Sequence, residues 1–285
     1  MKNVKEKVME VIFLIAACAS ILAVALICIF LFANGVPTIF KIGPLDFLLG
    51  KIWQPGSEIF GIFPMILGSI YVTVGAMIVG IPIGVLTAIF MSRFCNKKAY
   101  KIIKPCIELL AGIPSIVYGF FGLVVIVPIV MDLYGGNGKG ILSASVLLGI
   151  MILPTIINVT ESSLNAVPNS YYEGSLALGA THERSVFCVI VPAAKSGVIS
   201  AIILGVGRAI GETMALIMVA GNSTAIPQSL LDNVRTLTSN IVIEMGYSTG
   251  LHRQALIATA VVLFAFILII DLVFSIVKSK ASKQH

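Results

Sequence analysis

Charged residues are scarce in this sequence. They make up 11% of its 285 residues, whereas 58% are hydrophobic and the mean hydropathy is +1.05. A soluble domain carries about 25% charged residues, so this composition excludes a soluble globular protein and indicates an integral membrane protein. The sequence also lacks a basic stripe interleaved with stacking aromatic residues, and a nucleic-acid partner is therefore not expected.

Further absences remove other classes of function. No glycine-rich loop ends in Lys-Ser or Lys-Thr, so this chain is not expected to bind ATP. The apolar segments contain neither a Ser-Lys pair nor paired aspartates, and no catalytic residue is predicted. No metal site is predicted either, because the spacing of the cysteines matches none, and free thiols are expected. The five cysteines are Cys18, Cys28, Cys95, Cys106 and Cys188.

Long apolar runs, by contrast, are abundant. About 20 apolar residues cross roughly 30 Å of hydrocarbon, and six such windows predict an all-α, polytopic membrane protein with six transmembrane helices. The first window lacks a small-residue cleavage site after a short apolar region and is expected to be a retained helix. The windows are residues 11–33, 62–91, 109–131, 141–159, 197–220 and 255–277.

The second window is longer than a span requires. Its excess length is explained either by tilt or by a break at Pro82, which lacks a backbone donor. Two segments between windows, residues 34–61 and 221–254, are long enough to form a surface, but neither is predicted to be an independent domain.

Basic residues between the windows predict the orientation. Thirteen of the 19 Lys and Arg residues lie before the first window, in the second and fourth loops, and after the last window. Cytoplasmic segments are enriched in Lys and Arg, so both termini are predicted to be cytoplasmic. The expected organisation is an N-terminal tail over 1–10, a transmembrane domain over 11–277 and a C-terminal tail over 278–285.

The longest predicted cytoplasmic segment, residues 160–196, contains a short helix pattern. Tyr172, Leu176 and Gly179 recur near helical spacing after Pro168, which predicts a surface helix that stops at Gly179. An ordinary amphipathic helix at the membrane surface would also give this pattern.

The same segment carries a more specific spacing. Glu173-Gly174-Ser175 is followed after three residues by Gly179, and after nine more by Val189-Ile190-Val191-Pro192. This series resembles the cytoplasmic signature of the permease subunits of binding-protein-dependent ABC importers. The departures are Gly and Ser in place of two alanines, and Val in place of Ile and Leu. The resemblance implies that Glu173, Gly174, Ser175, Gly179 and Pro192 couple the permease to an ATPase.

Four longer stretches extend the resemblance over nearly the whole chain after the first helix. Together they resemble the PstC-type permeases of phosphate-specific ABC importers, which implies a type I ABC importer permease fold and a pore-forming, non-enzymatic subunit for inorganic phosphate. A permease for sulfate or molybdate is the near alternative, and an autonomous anion channel or intramembrane enzyme the distant one. The stretches are RAIGETMALIMVAGN (208–222), IPSIVYGFFGL (113–123), WQPGSEIFGIFPMILGSIYVT (53–73) and LTSNIVIEMGYSTGLHRQAL (237–256).

The resemblance also implies the partners. They are a homologous PstA-type permease, a dimeric ABC ATPase and an extracytoplasmic phosphate-binding protein, beside membrane lipid. ATP and Mg²⁺ would be used by the ATPase subunits, with no cofactor on this chain. The implied location is a bacterial or archaeal plasma membrane, as an inner membrane component.

Two opposite charges lie near the centre of the fifth predicted span. A lone ionised side chain there costs about 2.5–3.5 kcal/mol, so such residues normally face protein or a water-filled cavity. Arg208 and Glu212 are four residues apart and would share one face of a continuous helix. In one interpretation they form a buried ion pair that fixes helix packing. In the other, Arg208 is a fixed positive site for an anion in the transport pathway, and Glu212 holds its side chain in place.

Neighbouring residues favour the pathway interpretation. Gly205, Gly207 and Gly211 let another backbone approach closely or leave space for a solute. A guanidinium suits a phosphate because its planar fork donates two parallel hydrogen bonds and stays charged.

Thr213 and Ser115 are further candidates for the pathway. Thr213 adds a hydroxyl beside Glu212, although a bond to its own preceding turn explains it equally well. Ser115 follows Pro114 at the start of the third span, where a helix N-terminus could present N–H groups to an anion. An ordinary helix start is the alternative there.

Overall fold

The computed structural model describes residues 2–282, which are mostly helical. They form fourteen α-helices and one antiparallel hairpin, joined in part by a 3-10 turn at Pro55–Ser57 and by π-helical turns at Phe90–Phe94, Gly122–Ile126 and Val186–Ile190. The elements are α1 (Lys2–Ile42), α2 (Pro44–Leu49), β1 (Trp53–Gln54), β2 (Ile59–Phe60), α3 (Phe63–Ile89), α4 (Lys97–Gly112), α5 (Ser115–Phe121), α6 (Val127–Tyr134), α7 (Ile141–Asn165), α8 (Asn169–Ala177), α9 (His182–Ser185), α10 (Val191–Ala193), α11 (Lys195–Gly211), α12 (Met214–Val219), α13 (Leu237–Met245) and α14 (Gly250–Ser282).

The predicted terminal tails are partly covered by these elements. Residues 2–10 belong to α1 and residues 278–282 to α14. Met1 and residues 283–285 lie outside the described residues.

The expected all-α membrane protein is confirmed. Within residues 2–282, five helical segments are long and apolar enough to cross a membrane, and there are six when one bent pair counts as a single span. The bent pair consists of His182–Ala193 and Lys195–Gly211, which meet at 68°. The five are Glu6–Ile42, Phe63–Phe94, Ser115–Tyr134, Ile141–Asn165 and Gly250–Ile276.

The start predicted for the third span is wrong. Residues 97–112 form the separate helix α4, and the span itself begins at Ser115. Ile113 is extended, with ψ 128°, because the ring of Pro114 disfavours a helical conformation in the residue before it. The apolar residues at 109–112 therefore belong to α4.

Pro82 does not break the second span. Helix α3 runs through it to Ile89 and continues into the π-helical turn at Phe90–Phe94. Transmembrane helices tolerate proline where neighbouring helices and local adjustments satisfy the freed backbone group.

Helices α3 and α7 form the centre of the bundle through small residues. A Cβ atom on Gly80 would lie 2.8 Å from the Ile152 side chain and 2.9 Å from the Gly149 carbonyl oxygen. A Cβ atom on Gly84 would lie 2.8 Å from Ile156. These glycines let the two backbones approach closely, as is usual for packed helices in membranes.

This close approach predicts an effect of adding one methyl group. Gly80→Ala should destabilise the chain by about 1–3 kcal/mol, because the overpacked side chain forces α3 and α7 apart. Thermal unfolding in detergent measures the change. The matched control is Gly112→Ala, where no described heavy atom lies within 4 Å of the added Cβ. An unchanged midpoint for Gly80→Ala would show that the contact is loose.

The two ends of the bundle differ. At one end, which we call the hairpin end, β1 and β2 pack with α13 and the start of α14 around the buried side chains of Phe47, Trp53, Phe60, Leu237 and Leu256. The opposite end, which we call the α8 end, carries α8, α9 and the start of α11. The two longer interspan segments are thus parts of one packed surface.

Candidate functional site

The fifth predicted span is interrupted at its centre. Helix α11 ends at Gly211, Glu212 is extended with ψ 136°, and α12 begins at Met214. The Glu212 carboxylate accepts hydrogen bonds from the backbone N–H groups of Thr213 at 3.0 Å and Ala215 at 3.3 Å, so it caps the start of α12. The Thr238 hydroxyl donates to the Glu212 carbonyl oxygen at 2.9 Å. Contacts along the chain and from α13 therefore hold the interruption in place.

The predicted common helical face of Arg208 and Glu212 is wrong. The four-residue spacing aligns two side chains only while the helix continues, and this helix ends between them. Among residues 6–276, the ion pairs involve Lys104, Arg235 and His252, and none joins Arg208 to Glu212. Glu212 is engaged with the backbone of α12 and does not hold the guanidinium.

Arg208 points into open space on α11. Its side chain is exposed, and Nη1 donates to the Thr155 hydroxyl of α7 at 3.4 Å. A Cβ atom on Gly207 or Gly211 would meet no described heavy atom within 4 Å, whereas one on Gly205 would lie 2.9 Å from Ile156. One glycine thus packs α11 against α7, and the other two leave room beside the guanidinium.

The structure places the two hydroxyl candidates differently. Thr213 lies in the interruption, and its hydroxyl donates to the Gly211 carbonyl oxygen at 3.2 Å, so the local bond anticipated as an alternative is present. Ser115 opens α5 directly after Pro114 and is half-buried. Helix α5 packs on α12, since a Cβ atom on Gly119 would lie 2.9 Å from the Cα atom of Ala215.

A polar cluster joins α4 to α7 near the α8 end. Lys104 Nζ donates to Asn158 Oδ1 at 2.9 Å and to Glu161 Oε2 at 2.8 Å. The Tyr100 hydroxyl donates to Glu161 Oε1 at 2.7 Å, and this hydrogen bond raises the pKa of Tyr100 above its ordinary value. Glu161 is only 3% exposed. The sequence assigned no functional role to Lys104 or Glu161. The available signals were that Lys104 is a cation inside an amphipathic helix and that Glu161 is a carboxylate just past an apolar window.

Helix α8 ends as its sequence predicts. Gly179 has φ +83°, in the left-handed region that favours glycine. Its N–H donates to the Leu176 carbonyl oxygen at 2.9 Å, and the N–H of Ala180 donates to that of Ser175 at 3.2 Å. The prediction of a short helix stopped by Gly179 is confirmed.

The outer surface of α8 is uncovered. Glu173 and Gly174 are exposed, as is Leu178 at 91%. We call the exposed side chains of Tyr171, Leu176 and Leu178, together with Glu173 and Gly174, the α8 tip. An exposed apolar group of this kind on a polar loop is typical of a surface that contacts another protein.

Side-chain hydrogen bonds connect α8 to the rest of the chain. The Tyr172 hydroxyl lies 2.7 Å from His182 Nδ1, and the hydroxyls of Ser175 and Ser185 lie 2.9 Å apart, which fixes α8 on α9. Pro192 lies in α10, next to the 68° bend that leads into α11. The α8 tip is therefore linked through consecutive helical segments to the helix that carries Arg208.

A second polar network lies at the hairpin end. The Glu244 carboxylate is 6% exposed and accepts from Trp53 Nε1 at 2.9 Å and from Arg235 Nη1 at 2.5 Å. His252 Nε2 lies 2.8 Å from the same carboxylate. This network ties β1, α13 and α14 together. The sequence assigned no role to these residues, although Trp53, Glu244 and His252 lie in stretches that carry the family resemblance, because their contacts join distant parts of the chain.

Comparisons with known proteins agree with this architecture. The sequence model of the family described as "Binding-protein-dependent transport system inner membrane component" matches residues 80–283. The probable ABC transporter permease protein YqgH of Bacillus subtilis is 38% identical over 90% of this chain and 87% of its own length. The phosphate transport system permease proteins PstC of Mesorhizobium japonicum and Haemophilus influenzae are 31% and 35% identical, over 86% and 77% of this chain and 81% and 76% of their own lengths.

Solved structures share the fold. An inward-facing form of the MetNI methionine ABC transporter matches with a TM-score of 0.59 and 20% identity, over 81% of this chain and 99% of that chain. An amino acid ABC transporter matches with a TM-score of 0.56 and 19% identity, over 76% of this chain and 92% of that chain. At these identities the similarity concerns the fold alone.

Proposed function

Because the chain belongs to the family of binding-protein-dependent transport system inner membrane components, we propose that it is the pore-forming permease subunit of an ATP-driven importer of inorganic phosphate. Its PstC-type relatives support phosphate as the substrate. The observation that carries the proposal is the exposed guanidinium of Arg208 at the interruption of the fifth span, beside two glycines that leave open space. A charge within a membrane span requires a cavity or a partner subunit, since lipid would not solvate it.

The coarser conclusions are independent of the substrate. The chain is a multi-pass plasma-membrane protein, and permeases of this family function with a second permease, ATPase subunits and a binding protein. It is a transport subunit and not an enzyme, since ATP hydrolysis belongs to the partner subunits.

The proposal assigns a direction to the bundle. The α8 end faces the cytoplasm, both termini are cytoplasmic, and the hairpin end faces the binding protein. The support is the distribution of Lys and Arg. Of the thirteen in the predicted cytoplasmic segments, twelve belong to described segments at or leading to the α8 end, and Lys283 lies outside the described residues. A PstA-type permease completes the pore, and ATP with Mg²⁺ is used by the ATPase dimer, with no cofactor on this chain.

Coupling then follows from the chain of contacts. The α8 tip docks on an ATPase subunit. When the ATPase dimer closes and opens, it moves α8 and α9 as one unit. Because α9 and α10 lead through the bend that follows Pro192 into α11, this movement reaches Arg208. Glu173, Gly174, Ser175 and Gly179 are the residues of this chain that we assign to docking.

Arg208 gives a passing phosphate two parallel hydrogen-bond donors and a permanent charge. Such a site must also release its anion. Among the described residues, the guanidinium donates a hydrogen bond to the neutral hydroxyl of Thr155 alone, and it stays exposed, so it holds an anion without enclosing it. A sulfate or molybdate would meet the same guanidinium, and the relatives' names favour phosphate over both.

Copurification tests the assignment of partners. A tagged chain extracted in mild detergent should carry with it a PstA-type permease and an ABC ATPase, identified by mass spectrometry. The control is a tagged membrane protein of another family in the same membranes. Recovery of the chain alone, with neither partner enriched over the control, would contradict the proposal.

A further inference from the structure

Arg208 is not the only cation that reaches the exposed face of α7. Nη1 of Arg208, from α11, contacts Thr155 at 3.4 Å, and Nζ of Lys104, from α4, contacts Asn158 at 2.9 Å. Thr155 and Asn158 are three residues apart, so they lie on one side of α7 and about 4.5 Å apart along its axis. Two cations from different helices therefore meet the same polar stripe, one turn apart.

The stripe opens toward the α8 end. Thr155 and Asn158 are half-buried, and Ser162, one further turn along the same side of α7, is exposed. Helix α4 borders the stripe on one side and α11 on the other, since Gly197 and Gly205 of α11 pack against Ser163 and Ile156. A solute that leaves Arg208 toward the α8 end thus meets Asn158 and Lys104 next.

Lys104 presents its positive charge outward. Its side chain is 25% exposed, whereas the side chain of its partner Glu161 is 4% exposed and lies behind it. Lys104 uses two of its three N–H donors on Asn158 and Glu161, which leaves one for another acceptor. The amide nitrogen of Asn158 takes no part in the contact with Lys104 and adds a neutral donor.

We infer that Lys104 and Asn158 form a second anion station on the transport path, on the cytoplasmic side of Arg208. The inference rests on the proposed function, and it names the residues that receive phosphate after Arg208. Glu161 offsets the charge of Lys104, so the station binds an anion weakly. A path must bind strongly enough to admit an ion and weakly enough to release it, and several weak sites in series achieve both.

The replacement Asn158→Asp tests the station with little structural change. Aspartate has the size of asparagine and keeps the oxygen that accepts from Lys104, so a purely structural contact would be preserved or strengthened. On a transport path the new carboxylate neutralises Lys104 and repels the anion. We expect phosphate uptake by the reconstituted complex to fall about tenfold or more. The concentration of loaded binding protein at half-maximal rate should stay unchanged, because the station acts after entry.

The matched control is Asn165→Asp on the same helix. Asn165 Oδ1 accepts from the Ser92 hydroxyl at 2.6 Å, so this replacement also preserves an acceptor and adds one charge at the α8 end. Its uptake should stay near that of the wild type. Wild-type uptake in Asn158→Asp would overturn the station.

A double replacement decides the matter if Asn158→Asp fails to assemble. Lys104→Gln with Glu161→Gln removes both charges and leaves no buried carboxylate unpaired, so a structural role predicts full uptake and the station predicts reduced uptake in an intact complex. Arg208→Gln is measured alongside, so that a failure of the second anion station can be distinguished from a failure of the proposed phosphate import. If the double variant transports phosphate normally while Arg208→Gln transports none, the station is wrong and the proposed function stands. If the wild-type complex transports no phosphate, the proposed function itself is wrong.

Discussion

Phosphate uptake should be nearly abolished when Arg208 is replaced by glutamine. The variant loses the fixed charge and the planar pair of donors that we propose the anion meets at the interruption of the fifth span. Arg208→Lys keeps a charge but loses the planar fork, and it should retain part of the uptake. The measurement is ATP-dependent uptake of labelled phosphate by the assembled complex in liposomes, normalised to the amount of complex recovered.

Replacing Glu212 together with Arg208 tests whether Arg208 has only a structural role. An ion pair that only fixed helix packing would be rescued by replacing both partners with glutamine, because neither charge would be left uncompensated. The structure shows Glu212 capping α12 and not paired with Arg208. We therefore expect no rescue of uptake in the double variant. Full uptake in Arg208→Gln, alone or combined with Glu212→Gln, would return Arg208 to a packing role.

Replacing Gly179 by leucine should uncouple ATP hydrolysis from transport. At φ +83° a residue with a Cβ is strained by about 1–2 kcal/mol, and the leucine would project from the end of α8 beside the exposed Leu178. The variant should still insert, because a Cβ on Gly179 would contact no described heavy atom within 4 Å. We expect ATP hydrolysis that no longer responds to the loaded binding protein, and uptake lost.

Gly135→Leu is the matched control at the end of another helix. Gly135 follows α6 with φ +77°, and a Cβ there also contacts no described heavy atom within 4 Å, so the replacement adds similar strain and bulk away from the α8 tip. Its uptake should stay near that of the wild type. If the Gly179→Leu complex transported phosphate at the normal rate, the docking assignment of the α8 tip would be wrong.

Features determined by local sequence were predictable. Apolar windows gave the spans, because about 20 apolar residues must be buried in hydrocarbon wherever they occur. The end of α8 was predictable for a similar reason: a glycine after a short helical pattern adopts the left-handed conformation at low cost. Pro114 carried the signal for the start of the third span, but the apolar residues before it concealed the end of α4.

Features determined by distant contacts were not predictable. Residues 197–220 read as one apolar run, and the interruption at Glu212 depends in part on Thr238, which is 26 residues away. The cluster of Lys104 and Glu161 joins residues 57 apart, and the network of Trp53 and Glu244 joins residues 191 apart. Each of these side chains has a polar partner only because the bundle brings it there, so a single sequence gives no sign of the pairing.

The exposure of Arg208 in the single chain indicates that another subunit covers it, which the sequence did not predict. An exposed guanidinium in a membrane span is costly against lipid, and the second permease of the importer would enclose it together with the open space at Gly207 and Gly211. In our proposal the pathway lies between the two permeases, and this chain provides one wall of it.

Phosphate uptake into liposomes that contain the purified complex tests the central claim most directly. The complex is this chain with its second permease and ATPase subunits, with ATP sealed inside with the ATPase and phosphate-loaded binding protein added outside. The account predicts uptake that requires both ATP and the binding protein, and that excess sulfate does not inhibit. Passage of phosphate through liposomes that hold this chain alone, without ATP, would contradict it and would indicate an autonomous anion channel.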